Sequence, residues 1–288
     1  MQVQSNIASI NTARNQGITT GKLSKSLEKL ASGYRIVHAG DDAAGLTISE
    51  GMRSRINSLN QAMDNIDDGI SLTNVGDGAL TEVHSMLQRL KTLAIKSANA
   101  TYQEDERSML EEERQEILSE IDRIGETTSF GDLPLFSQTD QDTRLDTWQP
   151  PEEDTANPIT LQIGATTESG DQMDVKRFYI GSDELKLNKT DFTSVEKSQK
   201  SVGFIEDAIE AVSDVRASFG AAYSHLEHTQ NNLSVTSENM QAAEAQIRDT
   251  NMAEEYTNYT KNNLMLQSSN VMMKNANAIP QTVLELLR

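Results

Sequence analysis

Seven apolar residues recur at a strict interval of seven in the last third of the chain: Ile205, Val212, Phe219, Leu226, Leu233, Met240 and Ile247. A seven-residue step returns each side chain to the same side of an α-helix, which is the repeat of a coiled coil rather than of a globular core. The second seam position is mixed. Val202, Ile209 and Tyr223 fit it, whereas Arg216, Gln230, Ser237 and Glu244 are polar. This helix therefore has a narrow apolar stripe and a broad polar back. At 1.5 Å per residue, residues 202 to 247 make a rod of about 70 Å, and its partner helices must come from elsewhere in the chain.

Composition argues against a large compact core, because only 36% of the residues are hydrophobic and 5% aromatic, with a single Trp148. There are no cysteines, hence neither disulfides nor thiolate metal sites. The net charge of −19 is unevenly placed. Residues 1–40 carry Arg14, Lys22, Lys25, Lys29 and Arg35 against Glu28, and 248–288 are balanced at four basic and four acidic groups, so 41–247 hold a net of −23. That balance disfavours nucleic acid, whose phosphates need clustered Lys and Arg. Residues 1–10 show no basic region followed by an apolar run, so no cleavable signal peptide is read there. No stretch approaches the length of apolar sequence that a membrane span needs. The expectation is a chain that stays in the cytosol or leaves by another route.

A second ladder runs through Met52, Ile56, Leu59, Met63, Ile66 and Ile70 and resumes at Leu80, Val83, Leu87, Leu90 and Ala94, with Thr73 and Asp77 as polar interruptions. The spacing predicts a helix over 43–98. Gly69, Gly76 and Gly78 would each cost about 1 kcal/mol relative to Ala there, so they mark close packing or local curvature rather than helix ends. A third helix is predicted over 104–125, with Leu110, Ile117, Ile121 and Ile124 on one face and Gly125 as the C-cap candidate. Glu111, Glu112, Glu113 and Arg114 read as its solvated face.

Between 131 and 193 the helical period disappears, and four of the five prolines (Pro134, Pro150, Pro151 and Pro158) fall in this segment. Residues 159–163 and 175–180 read as short strands separated by Glu168-Ser169-Gly170-Asp171, which makes a small β insertion. At the two ends Ile7, Ile10, Leu23, Leu27 and Leu30, and Met252, Tyr256, Tyr259 and Leu266, sit at helical spacing interrupted by Gly17, Gly21, Asn263, Asn270 and Asn277. Alone they bury too little to offset the entropy of ordering, so they should be mobile until packed against partners.

Three constellations bear on catalysis. Gly17-Ile18-Thr19-Thr20-Gly21-Lys22-Leu23-Ser24 looks like a phosphate loop, but it is one residue short between its glycines, has Leu where Ser or Thr should follow Lys, and has no preceding strand. His225 and His228 lie on adjacent helical turns, as in a partial metal site, with no third ligand evident; a polar-face pair is the simpler reading. His38 and His84 are isolated. Asp41 and Asp42, at the start of a long helix, are better explained as N-caps favoured by the helix dipole than as a catalytic pair. No enzyme and no cofactor is implied.

The residues around that aspartate pair carry a family resemblance. Leu27-Glu28-Lys29-Leu30-Ala31-Ser32-Gly33-Tyr34-Arg35-Ile36 and Asp41-Asp42-Ala43-Ala44-Gly45-Leu46 resemble the N-terminal signature of bacterial flagellins. Leu87-Gln88-Arg89-Leu90-Lys91-Thr92-Leu93-Ala94-Ile95 and Glu120-Ile121-Asp122-Arg123-Ile124 continue it. Gln246-Ile247-Arg248-Asp249-Thr250-Asn251-Met252-Ala253 and Pro280-Gln281-Thr282-Val283-Leu284-Glu285-Leu286-Leu287-Arg288 resemble the family's C-terminus. The match covers roughly residues 1–136 and 196–288.

The resemblance implies a mainly α protein: a long antiparallel coiled-coil or helical rod formed by the N- and C-terminal arms, with a small β insertion. It divides the chain into a terminal coiled-coil domain (1–40 and 250–288, disordered in the free monomer), a helical rod domain (41–136 and 196–249) and a short insertion (137–195). About sixty residues separate the arms, so the usual outer domains are absent, and Phe130-Gly131-Asp132-Leu133 replaces the family's Phe-Asn-Gly turn. The implied function is self-assembly into the extracellular flagellar filament for motility, after export through the flagellar secretion channel. Leu23, Leu27, Leu30, Val283, Leu286 and Leu287 are the expected terminal assembly residues. Implied partners are further copies of the chain, the export chaperone and apparatus, and the filament cap and hook-junction proteins. Toll-like receptor 5 is a further one, through a patch matching Arg89, Leu93 and Glu113 on polar or boundary faces, which also suits axial subunit contacts. The alternatives are a hook-filament junction protein, a metal-dependent hydrolase using His225 and His228, and a disordered secreted adhesin.

Overall fold

The computed structural model describes residues 6–136, 158–166 and 168–286, without the side chains of Ser169 and 279–286. Its elements in chain order are α1 (Ile7–Ser32), α2 (Ala43–Ser97), α3 (Glu104–Thr127), β1 (Ser129–Phe130), β2 (Leu133–Pro134), β3 (Ile159–Gln162), β4 (Gln172–Val175), α4 (Val195–Arg248) and α5 (Met252–Leu286). The fold is mainly α with two small antiparallel hairpins, β1-β2 and β3-β4. It falls into two compact units, Met1–Ile56 with Glu238–Arg288, and Asn57–Ser237. Both α2 and α4 contribute residues to each unit.

Helix ends follow local chemistry. The Asn6 side chain accepts from the Ser9 amide at 3.1 Å to cap α1, and Gly33 closes that helix in the left-handed region at φ 76°. Asp42 Oδ1 accepts from the Gly45 amide at 2.9 Å, so the second of the paired aspartates caps α2. A capping box between Gln103 and Glu106 opens α3, whose first turn Glu104-Asp105-Glu106 suits the positive end of the helix dipole. Gly131, at φ 61°, makes the two-residue turn between Phe130 and Leu133.

The core of the Asn57–Ser237 unit is built from three helices and the insertion together. Leu80, Val83, Leu87 and Leu90 of α2, Leu110, Leu118 and Ile121 of α3, and Ile205, Ala208, Val212 and Phe219 of α4 form one buried cluster. Phe136, Phe178, Ile180, Leu187 and Phe192 complete it, and the Phe219 ring meets those of Phe136 and Phe178 at 6.4 and 6.0 Å. A smaller cluster of Ile66, Ile163 and Leu226 seats the β3-β4 hairpin on the helices.

Two sequence expectations need correction here. The second strand is Gln172–Val175, paired with Ile159–Gln162, rather than 175–180. The apolar residues beyond Val175 are apolar because Phe178 and Ile180 sink into the helical core, not because they alternate in a sheet. Gly125 is not a C-cap; α3 runs on to Thr127, and the Ile180 carbonyl oxygen occupies the place where a Cβ would stand. Close packing also accounts for two of the α2 glycines: a Cβ at Gly69 would lie 2.6 Å from Leu161 Cδ1, and one at Gly76 would lie 3.1 Å from the Phe219 ring. Gly78 faces open space.

Candidate functional site

In the terminal unit, α1 and α5 pair antiparallel. The Asn6 Nδ2 donates to the Ala276 carbonyl at 2.7 Å and Gln16 Nε2 to Asn270 Oδ1 at 2.8 Å. The buried positions of the two helices are small or polar: Thr19, Ser26, Asn262 and Ala276. Leu23, Leu30, Tyr259, Leu266 and Met273 are half-buried, whereas other large apolar side chains point outward. Ile7, Ile10, Ile18, Leu27, Tyr256, Leu264, Val271 and Met272 are each between 48% and 63% exposed. A helix pair gains stability by burying such side chains, so this one carries an apolar surface that nothing among the described residues covers. Of the expected assembly residues, Leu27 is exposed while Leu23 and Leu30 are half-buried; the side chains of Val283, Leu286 and Leu287 lie outside the described residues. The phosphate-loop look-alike at 17–24 is interior to α1, where its amides serve helical hydrogen bonds.

The chain links that lead into and out of this pair are tied together. The Arg35 amide donates to the Arg248 carbonyl at 2.7 Å, Arg35 Nη2 to the Ile247 carbonyl at 2.6 Å, and the Thr250 amide to the Gly33 carbonyl at 2.9 Å. Beside them Asp41 accepts from the His38 amide and from Lys25 Nζ at 3.2 Å, and these two contacts hold its carboxyl below the usual range.

Along the α4 seam, Ile205, Val212, Phe219 and Leu226 are fully buried, whereas Leu233, Met240 and Ile247 are half-buried. The core cluster that includes α3 side chains reaches only as far as Phe219, so the later positions have fewer elements to cover them. The polar second seam does not face away. Arg216 Nε donates to Asp77 Oδ1 at 2.8 Å, Gln230 Nε2 to Asp67 Oδ1 at 2.5 Å, and Ser237 Oγ to Asn60 Oδ1 at 3.2 Å. These residues face α2 as a second, polar seam, which sequence reasoning missed; Asp77, noted as an interruption of the α2 ladder, was the available signal.

Arg89 Nη2 and Glu113 Oε1 stand 2.6 Å apart on the surfaces of α2 and α3, with 59% and 39% of their side chains exposed. Leu93 does not join them: it is 2% exposed and belongs to the three-helix core, not to a boundary face. The exposed apolar residues nearest in sequence are Ile95 and Met109. The charge run of α3 is likewise not all solvated. Arg114 is buried, paired with Glu111, and donates to Thr190 Oγ1 at 3.3 Å, while Glu111 Oε2 accepts from the Phe192 amide at 3.0 Å. This pair holds the segment that precedes α4. His225 and His228 are both exposed on α4. No helix among the described residues is long and apolar enough to cross a membrane.

Residues 3–141 match the family model for the bacterial flagellin N-terminal helical region, and residues 202–287 match that for the bacterial flagellin C-terminal helical region. The chain is 40% identical over 288 residues to a flagellin of Halalkalibacterium halodurans, with all of both chains covered. It is 36% identical over 301 residues to the flagellar filament 33 kDa core protein of Treponema phagedenis, again over the whole of both. Among solved structures, a putative flagellar hook-associated protein from Vibrio parahaemolyticus shares the fold at a TM-score of 0.58 and 13% identity, over 73% of this chain and 100% of that one.

Proposed function

Because the chain belongs to the bacterial flagellin family, we propose that its outward-facing α1/α5 surface is the contact by which one subunit joins the next. The protein is a structural subunit of the flagellar filament, not an enzyme, and it self-assembles. The observation that carries the proposal is the exposed apolar face of the terminal pair, with Thr19, Ser26 and Asn262 buried and Ile18, Leu264 and Val271 outside. Each large apolar side chain contributes about 1.5 to 3 kcal/mol when fully buried, so neighbours that cover this face would drive assembly. A heterologous contact that does not close generates a helical filament. The same exposed face suits an export chaperone before assembly, with passage through the flagellar secretion channel to an extracellular filament that meets the hook-junction and cap proteins.

The test is seeded elongation followed by electron microscopy. Ile18→Asp or Val271→Asp should stop elongation while the Asn57–Ser237 unit keeps its cooperative melting; normal filaments from either variant would refute the assignment of this face.

Recognition of the free subunit by Toll-like receptor 5 belongs to the same reading, through the exposed Arg89 and Glu113. Leu93 would support that patch from beneath, since it is buried. Receptor-reporter cells should respond less to Arg89→Ala and Glu113→Ala monomers than to the parent; equal responses would remove these two residues from the site.

A further inference from the structure

We propose that Met265 and Met272 form an oxidation-sensitive site: peroxide converts their thioethers to sulfoxides in the free subunit, and the sulfoxides block assembly. The proposal rests on the reading of the α1/α5 surface as the assembly face. Met272 is 61% exposed and Met265 38% exposed, and their seven-residue spacing sets them on one side of α5. Leu264 and Val271, both exposed, repeat beside them at the same interval, so each methionine has a large apolar neighbour on the outward face of α5. Met265 and Leu264 also line a shallow open depression with Thr257, Thr260, Lys261 and Ser268, which a small oxidant can enter. By contrast Met52, Met63, Met86, Met173 and Met240 are half-buried within the subunit.

The chemistry needs only hydrogen peroxide. One peroxide oxygen is transferred to the thioether sulfur, a sulfur lone pair forms the new S–O bond, the O–O bond breaks, and the remaining oxygen leaves as water; sulfur is oxidised and peroxide reduced. A flexible apolar side chain becomes a polar, chiral one with a strong acceptor. Covered by a neighbour's apolar surface, that acceptor would lie buried without a donor, which disfavours the contact. Once the subunit is incorporated, the same neighbour shields the sulfur. Sensitivity is thus confined to subunits that have not yet joined a filament. Met109 and Met252 are exposed at 68% and 51% but lie off this stretch, one on α3 and one in the first turn of α5, so they report oxidation without the block.

The test treats free full-length subunits and preformed filaments with hydrogen peroxide, maps sulfoxides by mass spectrometry, and measures the critical concentration for seeded elongation. Oxidised subunits should need an about tenfold higher concentration, methionine sulfoxide reductases should reverse this, and Met265 and Met272 should oxidise more slowly than Met109 in filaments. In Met265→Leu with Met272→Leu, compared with its own untreated sample, peroxide should change elongation little. Met109→Leu with Met252→Leu should stay as sensitive as the parent. Unimpaired elongation by fully oxidised parent subunits would overturn the proposal, as would oxidation of Met265 and Met272 in filaments at the rate of free subunits. Failure of untreated parent subunits to elongate would instead count against the assembly face itself.

Discussion

The guanidinium of Arg248 lies 4.8 Å from the centroid of the Tyr34 ring while its Nη1 stands 2.6 Å from Glu50 Oε1. One side chain at the end of α4 thereby grips both the link after α1 and the start of α2, and the Tyr34–Asp249 bridge closes the same junction from the backbone. A largely desolvated cation over an aromatic face is worth up to about 2 kcal/mol, and a charge-assisted hydrogen bond about 1.5 to 3.

Arg248→Ala should therefore loosen this junction by about 1 to 3 kcal/mol, read as local opening rather than global unfolding. The Arg35 and Thr250 amides, which donate across the junction, are the probes, and hydrogen exchange at both should accelerate together. Tyr34→Phe, which keeps the ring, should be close to silent, whereas Tyr34→Ala should follow Arg248→Ala.

The polar seam between α2 and α4 makes a second prediction. As residue numbers fall on α2 they rise on α4, through Asp77–Arg216, Asp67–Gln230 and Asn60–Ser237, so a shift of one helix by one turn would unpair all three. Such pairs select register more than they add stability. A double-mutant cycle on Asp77→Ala and Arg216→Ala should give a coupling of about 0.5 to 1 kcal/mol, because both side chains remain partly exposed. No coupling at low salt would dismiss the pair as a register device.

Close approach of backbone to backbone makes a third. Gly125→Ala places a methyl against the Ile180 carbonyl, which cannot swing aside as a side chain can, so the Asn57–Ser237 unit should lose about 1 to 3 kcal/mol. Gly78→Ala, with open space around it, should instead stabilise α2 by about 1 kcal/mol. Thermal melts of the two variants should move in opposite directions.

These variants also mark what could be read from sequence. The three long helices and their apolar ladders were legible because a 3.5 or 3.6 residue period survives in any order of packing, as at Val83, Leu87, Leu90 and Ala94. Gly125 was misread because a helix-ending glycine and a glycine under a crossing carbonyl look alike until Ile180 is placed. Glu111 and Arg114 sit in a charge run, and only the return of Thr190 and Phe192 to α3 turns two of its members inward. Leu93 lies three residues from Leu90 on the buried side of α2, and the resemblance that placed it with Arg89 and Glu113 carries no information about depth. The outward turn of Ile18, Leu264 and Val271 could not be read at all, since helical spacing reveals that an apolar face exists and not which way it points.

The segment before α4 supplies the pH-dependent prediction. Burial works against the charge of Asp191, but Lys197 Nζ at 2.6 Å and the Thr193 hydroxyl and amide more than offset it, holding the carboxyl down to about 2. A folded-state value below the unfolded one means the charged form is favoured by folding. Its contribution is then fully present above the unfolded value near 3.8 and is lost as pH falls towards about 2. With a third of the side chain exposed, solvent screening leaves about 1 kcal/mol at neutral pH. Asp191→Asn should thus lower stability by about that much at pH 7, and the gap to the parent should narrow below pH 4 and vanish near pH 2. Parallel denaturation curves at pH 7, 4 and 2.5 measure it, and a gap that stays constant across them would mean the side chain acts through packing rather than charge.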